Sequence, residues 1–229
     1  MVDIMNAIKK PFSDMKTMGI GLIIGAIPVV NILVQGYALK VAKETIGGNK
    51  SSIPFAVGDL VEYILNIIKS MVIGIVYMII PLIVLGIGLV STLTALLSNA
   101  NALSDPNVTA SLLMTNLSAG APILIIGGLL ALIAALILPM AMMKWLKADS
   151  IKAAFGVVDV IKNALSVNYL IAIVVSVVYS MILVIVLGIV AGLLGLVPAV
   201  GFILVMLVMG LIAFTTQVTT MSLFADTVN

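Results

Sequence analysis

Asp59 and Glu62 stand three residues apart, a spacing that places two carboxylates on one face of a helix. Such a pair can exchange protons with a substrate. The same face continues through Asn66 and Lys69, so the pattern reads as a solvated polar stripe rather than an acid–base site. Other polar residues stand inside apolar runs. Asn31 and Gln35 are four apart, as are Ser176 and Ser180, and Gln217 lies among Thr215, Thr216, Thr219 and Thr220. They offer either a polar lining for a small neutral solute or interhelical hydrogen bonds, each contributing about 0.6–2 kcal/mol; the second is the commoner use. The chain has no cysteine and no histidine, which removes thiol nucleophiles, disulfides and the usual zinc ligands. No Walker loop, Gly-x-Ser-x-Gly or His-Glu-x-x-His is present. The sequence therefore assigns no catalytic residue, no cofactor and no metal site, and predicts a protein that is not an enzyme.

The elements that position these residues are set by hydropathy. Apolar residues make up 63% of the chain and charged residues 9%, against about 25% charged in a soluble domain. Residues 163–225 carry no charge at all. A crossing of the hydrocarbon layer needs about 20 helical residues, so this run holds two, parting near Pro198. Further charge-poor stretches are Thr17–Leu39, Ser70–Asp105 and Pro106–Met143. They do not alternate as barrel strands do. The predicted fold is all-α, a polytopic helical membrane protein. No span carries a lysine or carboxylate near mid-depth, which disfavours coupled transport. The net charge of +2 gives no reason to expect nucleic acid.

All eleven basic residues are lysines. Cytoplasmic flanks carry excess positive charge, so 40–69 and 144–167 are placed inside. The lysine-free loop Ser98–Gly120, with Asp105 and the acceptor patterns at Asn107 and Asn116, is placed outside. Thr17–Leu39 can be one span, which would put Lys9, Lys10 and Lys16 outside. It can also be a short re-entrant hairpin turning at Pro28, which keeps every lysine inside. The N-terminus lacks a small-residue cleavage site and does not read as a secretory signal. Both termini are expected in the cytoplasm, with the protein in the cell membrane.

Self-comparison shows a repeat of about 100 residues. Phe55-Ala56-Val57-Gly58-Asp59 matches Phe155-Gly156-Val157-Val158-Asp159. Two residues of extra offset later, Tyr77 and Ile83-Val84-Leu85-Gly86-Ile87 match Tyr179 and Ile185-Val186-Leu187-Gly188-Ile189. The unit reads as an interfacial amphipathic helix plus a transmembrane hairpin, with a shortened copy at the N-terminus. A single membrane domain over 1–229 then divides into 1–50, 51–149 and 150–229. The polar stripes are Asp3, Asn6, Lys10 and Ser13; Asp59, Glu62, Asn66 and Lys69; and Lys152, Gly156, Asp159, Asn163 and Ser166. Such helices lie in the headgroup plane with the apolar face down. Asp59, Asp159 and Trp145 are predicted at the interface, Trp145 as an anchor beside Lys144 and Lys147. Gly21/Gly25 and Gly188/Gly192 are Gly-x-x-x-Gly pairs that let backbones approach, within or between subunits.

Several of these segments are familiar together. Lys10-Pro11-Phe12-Ser13-Asp14, Ile27-Pro28-Val29-Val30-Asn31, Gly36-Tyr37-Ala38-Leu39-Lys40 and Pro54 ahead of Asp59-Leu60 resemble the domain-of-unknown-function family 4013, mostly archaeal membrane proteins. The resemblance implies an archaeal cytoplasmic membrane and supplies no activity. The functional expectation is a non-catalytic structural, assembly or accessory subunit that meets membrane lipids and either copies of itself or a larger complex. The alternative is a channel or uncoupled carrier for a small neutral solute or lipid.

Overall fold

A computed structural model describes residues 2–51, 53–98, 106–198 and 200–228. Among them the regular structure is helical throughout. The α-helices are α1 (Ile4–Lys9), α2 (Met15–Ala26), α3 (Ile32–Ile46), α4 (Leu60–Ser98), α5 (Pro106–Ala148), α6 (Val157–Ala164), α7 (Val167–Leu194) and α8 (Gly201–Asp226). Four helices are long and apolar enough to cross a membrane: Val57–Ala95, Gly120–Ala148, Val167–Leu194 and Gly201–Asp226.

Local chemistry explains the boundaries. The Asp14 carboxylate accepts from Lys16 N at 3.0 Å and from the Thr17 hydroxyl at 2.6 Å, capping α2. Ser166 Oγ accepts from Tyr169 N and caps α7. Pro11 ends α1 in a 3-10 turn, Lys10–Phe12. Thr17–Leu39 is two helices, not one. Between them lie Pro28 and Val29, whose φ of 71° is unusual for a β-branched residue.

Two expectations are corrected here. The lysine-free segment Ser98–Gly120 is not a loop throughout, because the backbone is helical from Pro106. Pro106 suits the first helical position, and the helix continues from it through Pro122 and Pro139 to Ala148. Asp105 and the Asn107 and Asn116 side chains lie outside the described residues. Likewise, 55–69 is not a separate interfacial helix: after a 3-10 turn at Val57–Asp59 it forms the first turns of α4. The second copy does break, between α6 and α7, at Leu165-Ser166. The interval from Asp159 to Tyr179, which contains that break, is two residues longer than that from Asp59 to Tyr77.

The chain forms two compact units that do not follow the repeat: Met1–Ile73 with Pro139–Asn229, and Gly74–Leu138. In the second, Gly88 and Gly127 let α4 and α5 approach. A Cβ built on either would lie 2.8 Å from Leu124 and Leu85 respectively. In the first, α2 and α3 both pack on α8. Gly21 lies against the Phe214 ring, and a Cβ on Gly25 would meet the Gly210 carbonyl oxygen at 2.7 Å. The tip between α2 and α3 therefore comes level with the Gly210 region of α8, well inside that helix.

The core of this unit is aromatic. Tyr37 stacks on Phe214 with centroids 5.7 Å apart, meets Tyr63 edge-on at 6.0 Å, and lies 5.3 Å from Phe55. Val34, Ala38, Val41 and Val218 complete it. Such ring pairs add about 0.5–1.5 kcal/mol each beyond the area they bury.

Candidate functional site

The charged groups of the first unit gather at one end of its helices, where α3, α5 and α8 finish and α4 and α7 begin. Gly36, Tyr37, Ala38, Leu39 and Lys40 organise it. Gly36 abuts the backbone of α4, since a Cβ there would sit 2.6 Å from the Tyr63 carbonyl oxygen. Tyr37 donates its hydroxyl to the Ile53 carbonyl at 2.7 Å. Phe55 N donates to Thr17 Oγ1 at 3.1 Å, tying the segment before α4 to the start of α2. These contacts deliver Lys40 to Asp59 and Glu62, with its ammonium 2.8 Å from each carboxylate. Burial lowers the Lys40 pKa, but bonding to Asp59 and then Glu62 outweighs it and holds the group above the ordinary lysine range.

Neighbouring pairs extend the cluster. Lys43 bonds Asp149 at 2.7 Å, and this holds the Asp149 carboxyl below its usual range. Asp149 itself adopts a φ of 50° just past α5. Lys69 stands 5.9 Å over the Trp145 ring. Lys147, in the last turn of α5, donates to the Val228 carbonyl. Lys10 is 3% exposed and donates to Thr45 Oγ1 at 2.6 Å and the Asn49 carbonyl at 3.1 Å. Burial lowers its pKa, while Asp226 and Glu44 pull the other way. Asp3 N donates to Asp226 at 3.1 Å, and Lys50 pairs with Asp3 at 3.1 Å, so the two chain ends meet.

Three cavities open among these groups. One of about 490 Å³ is lined by Lys43, Asp59, Glu62, Asn66, Lys69, Trp145 and Asp149 with Val61 and Leu65. Another, about 420 Å³, holds Lys9, Lys10, Asp14 and Lys50. The third, about 350 Å³, holds Lys144, Lys147 and Asp159. Among the described residues no three acidic side chains stand together as metal ligands.

The polar stripe of early α4 is divided: Asn66 is buried, Asp59 and Glu62 are half-buried against Lys40, and Lys69 is exposed. Asn66 and Ser70 are buried with Tyr63 and Ile67, while Val61, Ile64, Leu65 and Ile68 are exposed. Lys40 supplies opposite charge to Asp59 and Glu62, and an apolar outer face suits lipid. Trp145 is also corrected. It is 2% exposed, so it is not an outward anchor. Its indole face packs beneath the Lys69 ammonium. Asp159 is exposed.

The intramembrane candidates do not converge. Asn31 is exposed at the α2–α3 tip, and Gln35 Nε2 reaches Ser70 Oγ at 3.4 Å. Gln217 Oε1 and Ser176 Oγ are buried without a hydrogen-bond partner, and Ser180 is half-buried on α7. None of these five residues lines the three cavities. Gly21 and Gly25 make the α2–α8 contact, whereas Gly188 and Gly192 meet nothing within 4 Å. Lys40 was missed as a site residue. Its signal was present, since an isolated lysine follows an apolar run and two acids lie about 20 residues on.

The model of a family described as proteins of unknown function, DUF4013, matches residues 19–194. The chain belongs to this family. No curated protein and no solved structure matches it. The segments that carried the resemblance, Gly36 to Lys40 and Asp59-Leu60, are brought together by the Lys40 ion pairs.

Proposed function

We propose that this member of DUF4013 is a non-catalytic scaffold of the cell membrane, a structural, assembly or accessory subunit that packs with copies of itself or with a larger complex. The observation that supports it is the use of the charged groups. Lys40, Lys43 and Lys50 are each held by carboxylates of the same chain, which stiffens one end of the helices instead of presenting free reactive groups. The long helices meanwhile turn their large apolar side chains outward. The carrier reading needs Asn31, Gln35 and Gln217 around one water-filled space, and they do not share a cavity among those described.

Gentle extraction from the native membrane followed by mass measurement tests this. A particle heavier than one chain plus its detergent is expected; a bare single chain rejects the scaffold. Liposome flux of small solutes should be absent, and flux abolished by Gln35→Leu would restore the carrier. The lysine-bearing end, with both termini, is assigned to the cytoplasm by its charge. Ser13 is exposed and the chain has no cysteine, so Ser13→Cys is a clean reporter. Labelling by an impermeant thiol reagent from outside intact cells would reverse the orientation.

A further inference from the structure

We infer that the corner formed by the end of α5, the 3-10 turn Ile151–Phe155 and α6 docks the head group of an anionic phospholipid. The first observation is charge that the chain leaves unbalanced. Lys144, Lys147, Lys152 and Lys162 sit on these three elements, and none is within ion-pair distance of a carboxylate among the described residues. Lys40, Lys43 and Lys50, by contrast, all have carboxylate partners. Only two acids share the stretch. Asp149 is already held by Lys43, so Asp159 alone stands against four ammonium groups. Like charges on one surface repel, and a basic cluster beside a membrane-spanning helix draws its counter-charge from anionic head groups.

The corner also has room for such a group. Lys144 and Lys147 line the 350 Å³ cavity together with Ala148, Ala153, Gly156 and Asp159. The Ala and Gly positions keep bulky side chains out of it. Lys147 uses one of its three donors on the Val228 carbonyl, which leaves two for a ligand. With Asp159 opposing them, the two lysines carry a single positive charge, which one phosphodiester monoanion balances. Lys152 and Lys162, both exposed, extend the positive surface beyond the cavity.

A lipid, rather than a soluble anion or an acidic protein segment, follows from the faces of α6. Val160 and Ala164 are buried against the protein. Val157, Ile161 and Leu165 recur every four residues on another side with Val158, and all four are exposed, Val158 by 80% and Leu165 by 70%. Lys162 follows Val158 by four residues and edges this strip. An exposed apolar strip bordered by an ammonium is the pattern of a helix lying at head-group level. The strip runs on into exposed Val167, Leu170 and Val174 of α7, which is long and apolar enough to cross a membrane. Acyl chains lying on α7 would bring their head group to the corner, whereas a soluble anion would leave Val158 and Leu165 in water. The site does not depend on the scaffold reading, since a monomer or a carrier would hold it equally.

Native mass spectrometry of the full chain, released from detergent with equimolar phosphatidylglycerol and phosphatidylcholine, tests the inference. One lysine beside an anionic surface contributes about fivefold in affinity, so phosphatidylglycerol should be retained at least about fivefold more. The double variant Lys144→Gln, Lys162→Gln should lower that ratio about fivefold or more. Lys9→Gln with Lys16→Gln removes two lysines, equally without ion pairs among the described residues, from the N-terminal helices, and should leave the ratio within about twofold. Circular dichroism in the same detergent checks that both variants fold; Lys162→Gln alone, at an exposed position, should still lower the ratio about twofold. Equal retention of the two lipids, or equal effects of the two double variants, overturns the site. Displacement of the lipid by stoichiometric soluble glycerol phosphate overturns the lipid as its occupant. A spin label at Val158→Cys, in a chain without other cysteines, should be relaxed more by oxygen than by a water-soluble nickel chelate in phosphatidylglycerol bilayers. The reverse order overturns lipid docking and leaves the strip to an acidic protein segment.

Discussion

Phe55-Ala56-Val57-Gly58-Asp59 and Phe155-Gly156-Val157-Val158-Asp159 are similar in sequence, yet they live in different surroundings. Phe55 is buried against Tyr37 and Tyr63, and Asp59 grips Lys40. Phe155 is half-buried, and Asp159 is exposed with no ion pair among the described residues. The first copy runs without a break into α4; the second stops at Ala164 and restarts after Ser166. What separates them is the N-terminal hairpin. Packed on α8, it carries Tyr37 and Lys40 to the first copy. Similar segments thus share their chemistry but not their partners, and a carboxylate becomes structural where an ammonium is delivered to it.

Substitutions can break this asymmetry. Phe55→Ala should cost about 3–5 kcal/mol, the usual loss for a core aromatic, and Phe155→Ala less than half as much, by unfolding in mixed micelles followed by circular dichroism. Comparable losses would mean that the copies are equally embedded. Next in size are the glycines. Gly25→Leu forces α2 away from α8 and should cost about 1–3 kcal/mol. Gly188→Leu, which meets open space just as its counterpart Gly86 does, should stay within about 0.5 kcal/mol. A large Gly188 effect on particle mass with none on unfolding would place that face between subunits.

Lys40→Met should cost about 1–2 kcal/mol, between the values for exposed and buried pairs, because its carboxylates are about one-third and two-fifths exposed. Asp159→Asn should move stability by no more than about 0.5 kcal/mol. The same unfolding assay decides both, and equal effects would remove the distinction between the two aspartates. The smallest effect concerns acid. Bonding to Lys43 lowers the folded pKa of Asp149, so its contribution is complete above the ordinary carboxylate value of about 3.9 and is lost as pH falls through the lowered one. A pH titration of stability should therefore show a slight acid-side loss that Lys43→Met abolishes.

Much of the architecture was legible. The charge-free run 163–225, the parting near Pro198 and the division of Thr17–Leu39 at Pro28 were read from chain-local tendencies: lipid excludes charge, and proline disfavours a continuing helix, although Pro81, Pro122 and Pro139 lie within α4 and α5. The errors share one cause. The stripe Asp59, Glu62, Asn66 and Lys69 was visible, but periodicity reports which residues share a face and not where that face points. Trp145 failed for the same reason, since its neighbours in sequence are lysines and its neighbour in space is a different lysine.

By itself, then, the sequence determined that this is a helical chain with spans suited to lipid, its lysines kept to the flanks, because an unpaired charge is costly in hydrocarbon whatever the fold. The tertiary structure decided which carboxylates are paired, which of two identically spaced glycine pairs forms a contact, and that Asn66 of early α4 is buried while Lys69 on the same stripe stays exposed. Those outcomes rest on Lys40 meeting residues about 20 positions away and on α8 receiving a hairpin from the far end of the chain. No local pattern encodes such meetings, because they arise when separate faces find complementary charge and volume.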